Sequence, residues 1–412
     1  MTTTTAELQV LEIREEAVDA ILDDARALAF PRYPGTAGDQ RAIDLVANGL
    51  REAGLDVAVE EFSYDIRPAF RALRSVLSGL AVLLAVSGFL ATRSPAVAGV
   101  LLVAGLAVGG ILIGWSPWSE HLYAQDGPTR TANVVGYRRS ASPRLTIILL
   151  AHHDSKSQNL AFPVRMGLTI LAIVGALVLT GWLAVALLGG SAGMAWLPAA
   201  SAVVAAAALS VLATLRSDNR SPGGVDNAGS VGLLLWLAQH VPGELSDGVE
   251  WIFLSPGAEE DHMVGATRWL ERHRGELRGR PIWAINFDGV GNPGDVALLE
   301  RFGFGRWFSK HLSAVARSVA QELDIAVRGV LMPPAMGIDS IPFAHRGIDC
   351  LTIASGSLGR ATMAIHSPHD VVDNLDRETL HRSVRLVAAM VESLARPVLS
   401  AQSRPIQLGK KI

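Results

Sequence analysis

The sequence predicts an α/β layer fold with a mainly parallel central sheet, interrupted by two inserted apolar helical hairpins. Three observations lead there. Short aliphatic runs alternate with amphipathic stretches along most of the chain, the pattern of strands joined by crossover helices. Polar clusters stand at the ends of those runs, where open α/β sheets carry their sites. Two long stretches almost free of charge break the alternation, in a chain of 412 residues with a mean hydropathy of +0.31 and only 18% charged residues.

The chain opens with MTTTTAELQVLEIREEAVDAILDD, acidic and amphipathic, without the basic-then-apolar order of an export signal. A helix over 38–54 and a strand over 56–63 follow. Residues 75–92 hold no charge between Arg74 and Arg93, and residues 94–119 hold none either, with Pro95 as the turn between them. This predicts the first hairpin. Strands over 132–138 and 145–151 come next. After Arg165 no charge appears until Arg216, and Gly189-Gly190-Ser191-Ala192-Gly193 divides that stretch into a second hairpin. Each of the four spans has the roughly 20 residues that cross a hydrocarbon core. Trp115, Trp118, Trp182 and Trp196 fall near their ends as interfacial anchors do, and Gly105 and Gly109 have the GxxxG spacing of a close helix contact. The rest predicts helix 227–240, strand 249–255, helix 262–275, strand 282–287, helix 306–323, strand 348–354 and helix 376–396. Residues 1–70, 120–162 and 217–398 therefore make one interrupted domain, 71–119 and 163–216 the hairpins, and 399–412 a tail.

Basic residues gather at the open ends of both hairpins (Arg67, Arg71, Arg74, Arg130, Lys156, Arg165, Arg216, Arg220), whereas the tips hold only Arg93. The positive-inside rule then predicts an integral protein of the plasma membrane with four spans and its polar domain in the cytoplasm. The single cysteine, Cys350, excludes an internal disulfide framework. A net charge of −3 and a pI of about 6.4 offer no basic face for nucleic acid. The spans lack the charged residues that line a transport path.

The strand LTIILL discharges into AHHDS, placing His152 and Asp154 at its end. Asp226 opens a helix in GGVDNAGS, Glu259 and Glu260 follow the strand WIFLSPG, Asp288 closes PIWAINFD, and AIHSPHDVVDN places His366 and Asp370 in a loop. Each cluster alone has an ordinary explanation: a solvated turn, surface charge, a helix N-cap. Together they bring imidazoles and carboxylates to one edge of a sheet, the donor types that hold a divalent cation such as zinc.

In this order the motifs resemble those of the co-catalytic dinuclear zinc aminopeptidases, metallopeptidase family 28, whose relatives include glutamate carboxypeptidase and the transferrin receptor ectodomain. AHHDS, DNAGS, PGAEE, NFDGVG and IHSPHD are similar to the family's five motifs, and RYPGTAGDQRAIDLVANGLREAGLDVAVEEF, TANVVGY and GIDSIPFAHRGIDCLTI to the segments around them. The resemblance covers nearly all of the polar sequence. It implies a three-layer αβα zinc-exopeptidase (phosphorylase/hydrolase-like) fold and two Zn2+. His152 and Asp288 would bind one ion, Glu260 and His366 the other, and Asp226 both. Glu259 would be the general base toward the dizinc-held hydroxide, and Asp154 would orient His152. His153 reads as a pocket wall; His262, His345 and His369 as structural or surface residues; Arg360 as an undecided partner for a substrate carboxylate. The function implied is a membrane-anchored aminopeptidase acting on peptides, possibilities from the same fold being a glutaminyl cyclase and a silent receptor or scaffold. Because both hairpins interrupt the catalytic fold, the second soon after Asp154, the site is expected near the membrane surface, with a substrate delivered from the bilayer.

Overall fold

Side chains alternate across a strand, so a strand buried at every position needs cover on both faces. LTIILL is such a strand: Ile147 and Leu149 join one hydrophobic cluster, Ile148 and Leu150 another, and all six residues are buried. That alternation sets the layering of the catalytic part of the chain.

The computed structural model describes residues 15–114, 123, 125–190, 193–241, 243–332 and 336–400. Two units emerge, the first Met1–Tyr64 with Asp126–Ser157 and Asn219–Ile412, the second Asp65–Gln125 with Gln158–Asp218. In chain order, α1 (Glu15–Leu28), α2 (Ala37–Glu52) and β1 (Asp56–Tyr64) lead to the second unit's α3 (Arg67–Leu90) and α4 (Pro95–Gly114). The chain returns for β2 (Thr129–Arg138), β3 (Leu145–Leu150) and the short β4 (Ser157–Gln158), departs through α5 (Phe162–Leu187) and α6 (Leu197–Leu212), and comes back at β5 (Ser217–Asp218). There follow α7 (Gly229–His240), β6 (Val249–Ser255), α8 (Val264–Arg272), β7 (Ile282–Phe287), β8 (Asp295–Phe302) and β9 (Arg306–Trp307). The chain ends with α9 (Lys310–Glu322), β10 (Val327–Met332), α10 (Ser340–His345), β11 (Asp349–Gly356), α11 (Arg360–Ala364) and α12 (Arg377–Ser400).

The first unit is a mixed α/β fold around one sheet of order β1-β2-β6-β3-β7-β11-β8-β10, with β9 on β8. Val18 and Ile21 of α1, Val46 of α2, Leu233 of α7, Leu312 of α9 and Val387 of α12 cover one face; Trp269 of α8 and Phe343 of α10 cover the other. The sheet is mixed around a parallel centre: β6–β3, β3–β7, β7–β11 and β8–β10 pair parallel, and β1–β2, β2–β6, β11–β8 and β8–β9 antiparallel. A parallel return needs a crossover of a dozen or more residues, and the loop 288–294 is too short for one, so β8 runs against β7.

Strands β8 and β10 and helix α1 were not among the expected elements. In DVALLERF the acidic Glu300 interrupts the apolar pattern, yet it is buried, because Arg317 grips it with two bonds of 2.7 and 2.8 Å. Along β10 the side chains are mostly outward at the sheet's edge, which erases the burial signal.

In the second unit the four helices stand where four spans were expected; among the described residues α3 and α5 are long and apolar enough to cross a membrane, while Pro95–Gly110 of α4 and Leu197–Leu212 of α6 are shorter apolar stretches. Val82, Val100, Val103 and Leu177 point outward, while Leu84, Leu102, Leu179 and Leu183 pack inward with Ala202 and Ala205. The tightest helix approaches are at α6. A Cβ on Gly88 would lie 2.2 Å from Ala202 Cβ, and one on Gly175 2.7 Å from Ser201 O, the close contact small residues permit. Gly105 and Gly109 meet flexible leucine side chains of α3 instead, a Cβ on Gly105 lying 3.3 Å from Leu83 Cδ1 and one on Gly109 3.5 Å from Leu80 Cδ1. Trp115, Trp118 and residues 401–412 of the tail lie outside the described residues.

Candidate metal centre

The carboxyl ends of β3, β6, β7 and β11 lie along one edge of the sheet, and the chain leaves each strand directly into a polar turn. His152 is buried just after β3. Its Nε2 stands 3.2 Å from Asp226 Oδ1 and 3.9 Å from Glu259 Oε2, and its Nδ1 3.4 Å from Asp154 Oδ1. The other oxygen of Asp226 turns the opposite way, its Oδ2 lying 3.2 Å from His366 Nε2, which is also 3.1 Å from Glu260 Oε2. One carboxylate thus faces two imidazoles. Two donor sets result, His152/Asp226/Asp288 and Asp226/Glu260/His366, each with one donor atom per residue and all within 4.8 Å of one another.

The turns are strained. Ala258, His262, Met263 and His366 all have left-handed φ between 57° and 71°, each costing a non-glycine residue about 1–3 kcal/mol. Hydrogen bonds hold them. Asp154 accepts the backbone N–H of Glu259 and of Glu260, both at 3.1 Å, so it sets the β6 turn as well as facing His152. Asp370 does the same for the segment around Asp226, accepting from Val225 N at 2.8 Å and Asp226 N at 3.3 Å. Arg32, fully buried, donates to the carbonyls of Leu28, Phe30, His153, Pro222 and Gly223. It therefore ties together the two backbone segments that flank residues 158–218. Neither Asp370's acceptor role nor Arg32's clamp has a local sequence signal, since both act on backbone brought near by folding.

Charge in the centre is unbalanced. Burial pushes Glu259 well above the usual carboxylate range; His152 opposes this, while Asp339, Glu260 and Asp288 add to it. Burial, then the Asp226 charge, push Asp288 up to about 7. Asp226 moves the other way, well below its usual range, because His152 and His366 outweigh its burial. Asp339, which sequence reasoning missed, is fully buried and neither oxygen has a hydrogen-bond partner. Its burial holds it at about 8, against the pull of His152.

Lys156 was expected only as a basic residue at a hairpin end. Its ammonium lies 2.8 Å from Glu260 Oε2. His153 is buried with Nδ1 3.1 Å from Ser255 Oγ and Nε2 3.8 Å from Asp39 Oδ1, a packing role. His369 and Arg360 are exposed, and His345 lies with its ring 5.8 Å from Phe302.

This donor set fits divalent cations. Neither buried ring nitrogen of His152 has a hydrogen-bond partner, and the carboxylates of Asp226, Glu259, Glu260, Asp288 and Asp339 crowd one another. Buried like charges and orphaned imidazole nitrogens are costly unless a cation compensates them, and paired N and O donors suit zinc.

The model of peptidase family M28 matches residues 133–391, which include every residue of both donor sets together with Asp154 and Glu259. No curated protein matches the chain. Among solved structures, the zinc aminopeptidase BSAP from Bacillus subtilis aligns with a TM-score of 0.54 and 14% identity, over 93% of this chain and 96% of its own. The aminopeptidase from Aneurinibacillus sp. strain AM-1 gives 0.54 and 14%, over 92% and 96%. A glutaminyl cyclase from an Acidobacteriales bacterium gives 0.56 and 11%, over 96% and 100%. At such identities the likeness is one of fold.

Proposed function

Since this chain belongs to peptidase family M28, we propose that it is a membrane-anchored zinc exopeptidase, an aminopeptidase that removes N-terminal residues from peptides. The observation that carries the reading is the pair of donor sets sharing Asp226, with Glu259 buried beside them. His152 and Asp288 would hold one Zn2+, Glu260 and His366 the other, and Asp226 both. When bound, zinc supplies Lewis acidity to the scissile carbonyl and to the attacking water. Glu259 takes the proton of that water and passes it to the leaving amine, a task suited to a carboxyl held well above its usual range. Asp154 keeps Glu259 aimed by holding its backbone N–H and that of Glu260. Asp370 fixes the segment that presents Asp226.

The second unit serves, in this reading, as a plasma-membrane anchor in which α3 and α5 cross the bilayer with the shorter α4 and α6 packed against them, the catalytic unit being cytoplasmic and peptide substrates arriving from the membrane. The support is that α3 and α5 are apolar, long enough to span, and mostly not covered by the rest of the chain, whereas core helices of a soluble protein would be. Alkaline extraction that releases the chain from membranes would refute the anchor.

Cyclisation of N-terminal glutamine is a second reading, because cyclases share the fold. One experiment separates them: detergent-purified protein is given a panel of aminoacyl chromogenic amides and an N-terminal glutaminyl peptide, with zinc, with chelator, and as Glu259→Gln, alongside metal content. Zinc-dependent amine release lost in Glu259→Gln with about two ions still bound supports the aminopeptidase. Ammonia release from the glutaminyl peptide alone supports the cyclase, and two bound ions without turnover a silent scaffold.

A further inference from the structure

The two donor sets are unequal in a way that the family motifs do not encode. Lys156 touches only one of them. Its ammonium lies 2.8 Å from Glu260 Oε2 and donates to the Glu260 carbonyl at 2.7 Å, and its backbone N–H reaches Glu260 Oε1 at 3.2 Å. Glu260 Oε2 is the same oxygen that faces His366 Nε2 at 3.1 Å. The lysine therefore stands on a donor atom of the Asp226/Glu260/His366 set, with its side chain only 14% exposed and little water to screen it. Among the described residues no lysine or arginine pairs with Asp226 or Asp288 of the other set.

We infer that Lys156 grades the two metal positions, so that His152/Asp226/Asp288 fills first and Asp226/Glu260/His366 binds its ion more weakly than the donors alone would allow. The inference rests on the two-ion reading above. A dication and an ammonium sharing one carboxylate oxygen repel each other at about 4 Å, and even water-like screening leaves a penalty of roughly tenfold or more in affinity. The chain then holds one ion at low zinc and acquires the second only as zinc rises, which makes any step that needs both ions dependent on zinc supply.

The test is metal binding, not turnover. Full-length protein in detergent is stripped with chelator and titrated with Zn2+ in competition with a chromogenic chelator, as wild type, Lys156→Met, Lys156→Arg, His152→Ala and His366→Ala. The expected wild-type curve has two classes of site. Lys156→Met tightens the weaker class by about tenfold or more while the tighter class moves far less. Lys156→Arg, which keeps the charge, keeps the separation. His366→Ala deletes the weaker class and His152→Ala the tighter. Circular dichroism of the stripped variants identifies any that fail to fold, and Lys156→Arg against wild type still reads the effect of charge if Lys156→Met is lost: an arginine that collapses the two classes into one overturns the inference. So do two ions bound with the same curve in wild type and Lys156→Met, or loss of the weaker class in His152→Ala, while the two-ion reading stands. A single ion in every variant removes the two-ion reading and the inference with it.

Discussion

Asp154→Asn separates what one carboxylate does for a histidine from what it does for a backbone turn. The substitution keeps the shape, removes the charge and converts one oxygen into an amide donor. Both oxygens are in use, each accepting a backbone N–H at 3.1 Å, one from Glu259 and one from Glu260. Whichever oxygen becomes NH2, one buried N–H then faces a donor, at a cost of about 1–3 kcal/mol. The surviving bond loses its charge assistance, about 1 kcal/mol more. A loss of about 2–4 kcal/mol follows, which at roughly 2–4 °C per kcal/mol lowers the unfolding midpoint of the chelated protein by about 5–15 °C. A second effect is separate, because His152 Nδ1 faces Asp154 at 3.4 Å. Loss of that partner should weaken zinc binding by about 10–100-fold. Thermal unfolding in chelator reads the first effect and competition with a chromogenic chelator the second. A variant that unfolds with the wild type in chelator yet loses zinc would refute the reasoning about the β6 turn, leaving Asp154 as a partner of His152 alone.

Two further outcomes are expected. In Gly224→Ala the new Cβ would lie 2.3 Å from the backbone carbon of Val371 and 2.5 Å from Val372 N, so the segment carrying Asp226 must move; zinc content should fall with activity and stability drop by about 1–3 kcal/mol, and retention of the wild-type zinc content would contradict this. The second concerns pH. Burial pushes Asp39, Asp288 and Asp370 up to about 7 and Asp339 up to about 8, so the folded chain keeps protons that the unfolded chain releases near pH 4. The zinc-free protein therefore loses stability as pH rises from about 5 to 8, and the raised His152 and His366 act in the same direction. Zinc needs the deprotonated donors, so loaded protein should lose less or gain over that range. A chelated midpoint that climbs with pH would contradict the burial argument.

Much of the fold is local information. LTIILL, WIFLSPG and PIWAINFD announce central strands because they are apolar on both faces, and AHHDS, GAEE and NFDG announce a site because charge appears where each run stops. Those patterns name His152, Glu259, Glu260 and Asp288, GGVDNAGS and AIHSPHD add Asp226 and His366, and folding brings these six within one cluster of donors. What local pattern cannot contain is direction and partnership across the chain. The sense of β8 depends on the length of a loop and the space beside β11. Glu300 reads as a break in a strand until Arg317 is placed against it. Arg32 and Asp370 look like ordinary polar residues until distant carbonyls and N–H groups converge on them. Asp339 becomes a buried, unpartnered carboxyl only because folding brings the start of α10 near His152, Asp154 and Asp288, and Lys156 becomes a rival to a metal ion only because the β3 turn lies against the β6 turn. The sequence by itself determined which residues could serve as donors, since that follows from residue type and strand period. Only the tertiary structure decided how they are charged, held and made unequal, because those properties arise between segments far apart in the chain.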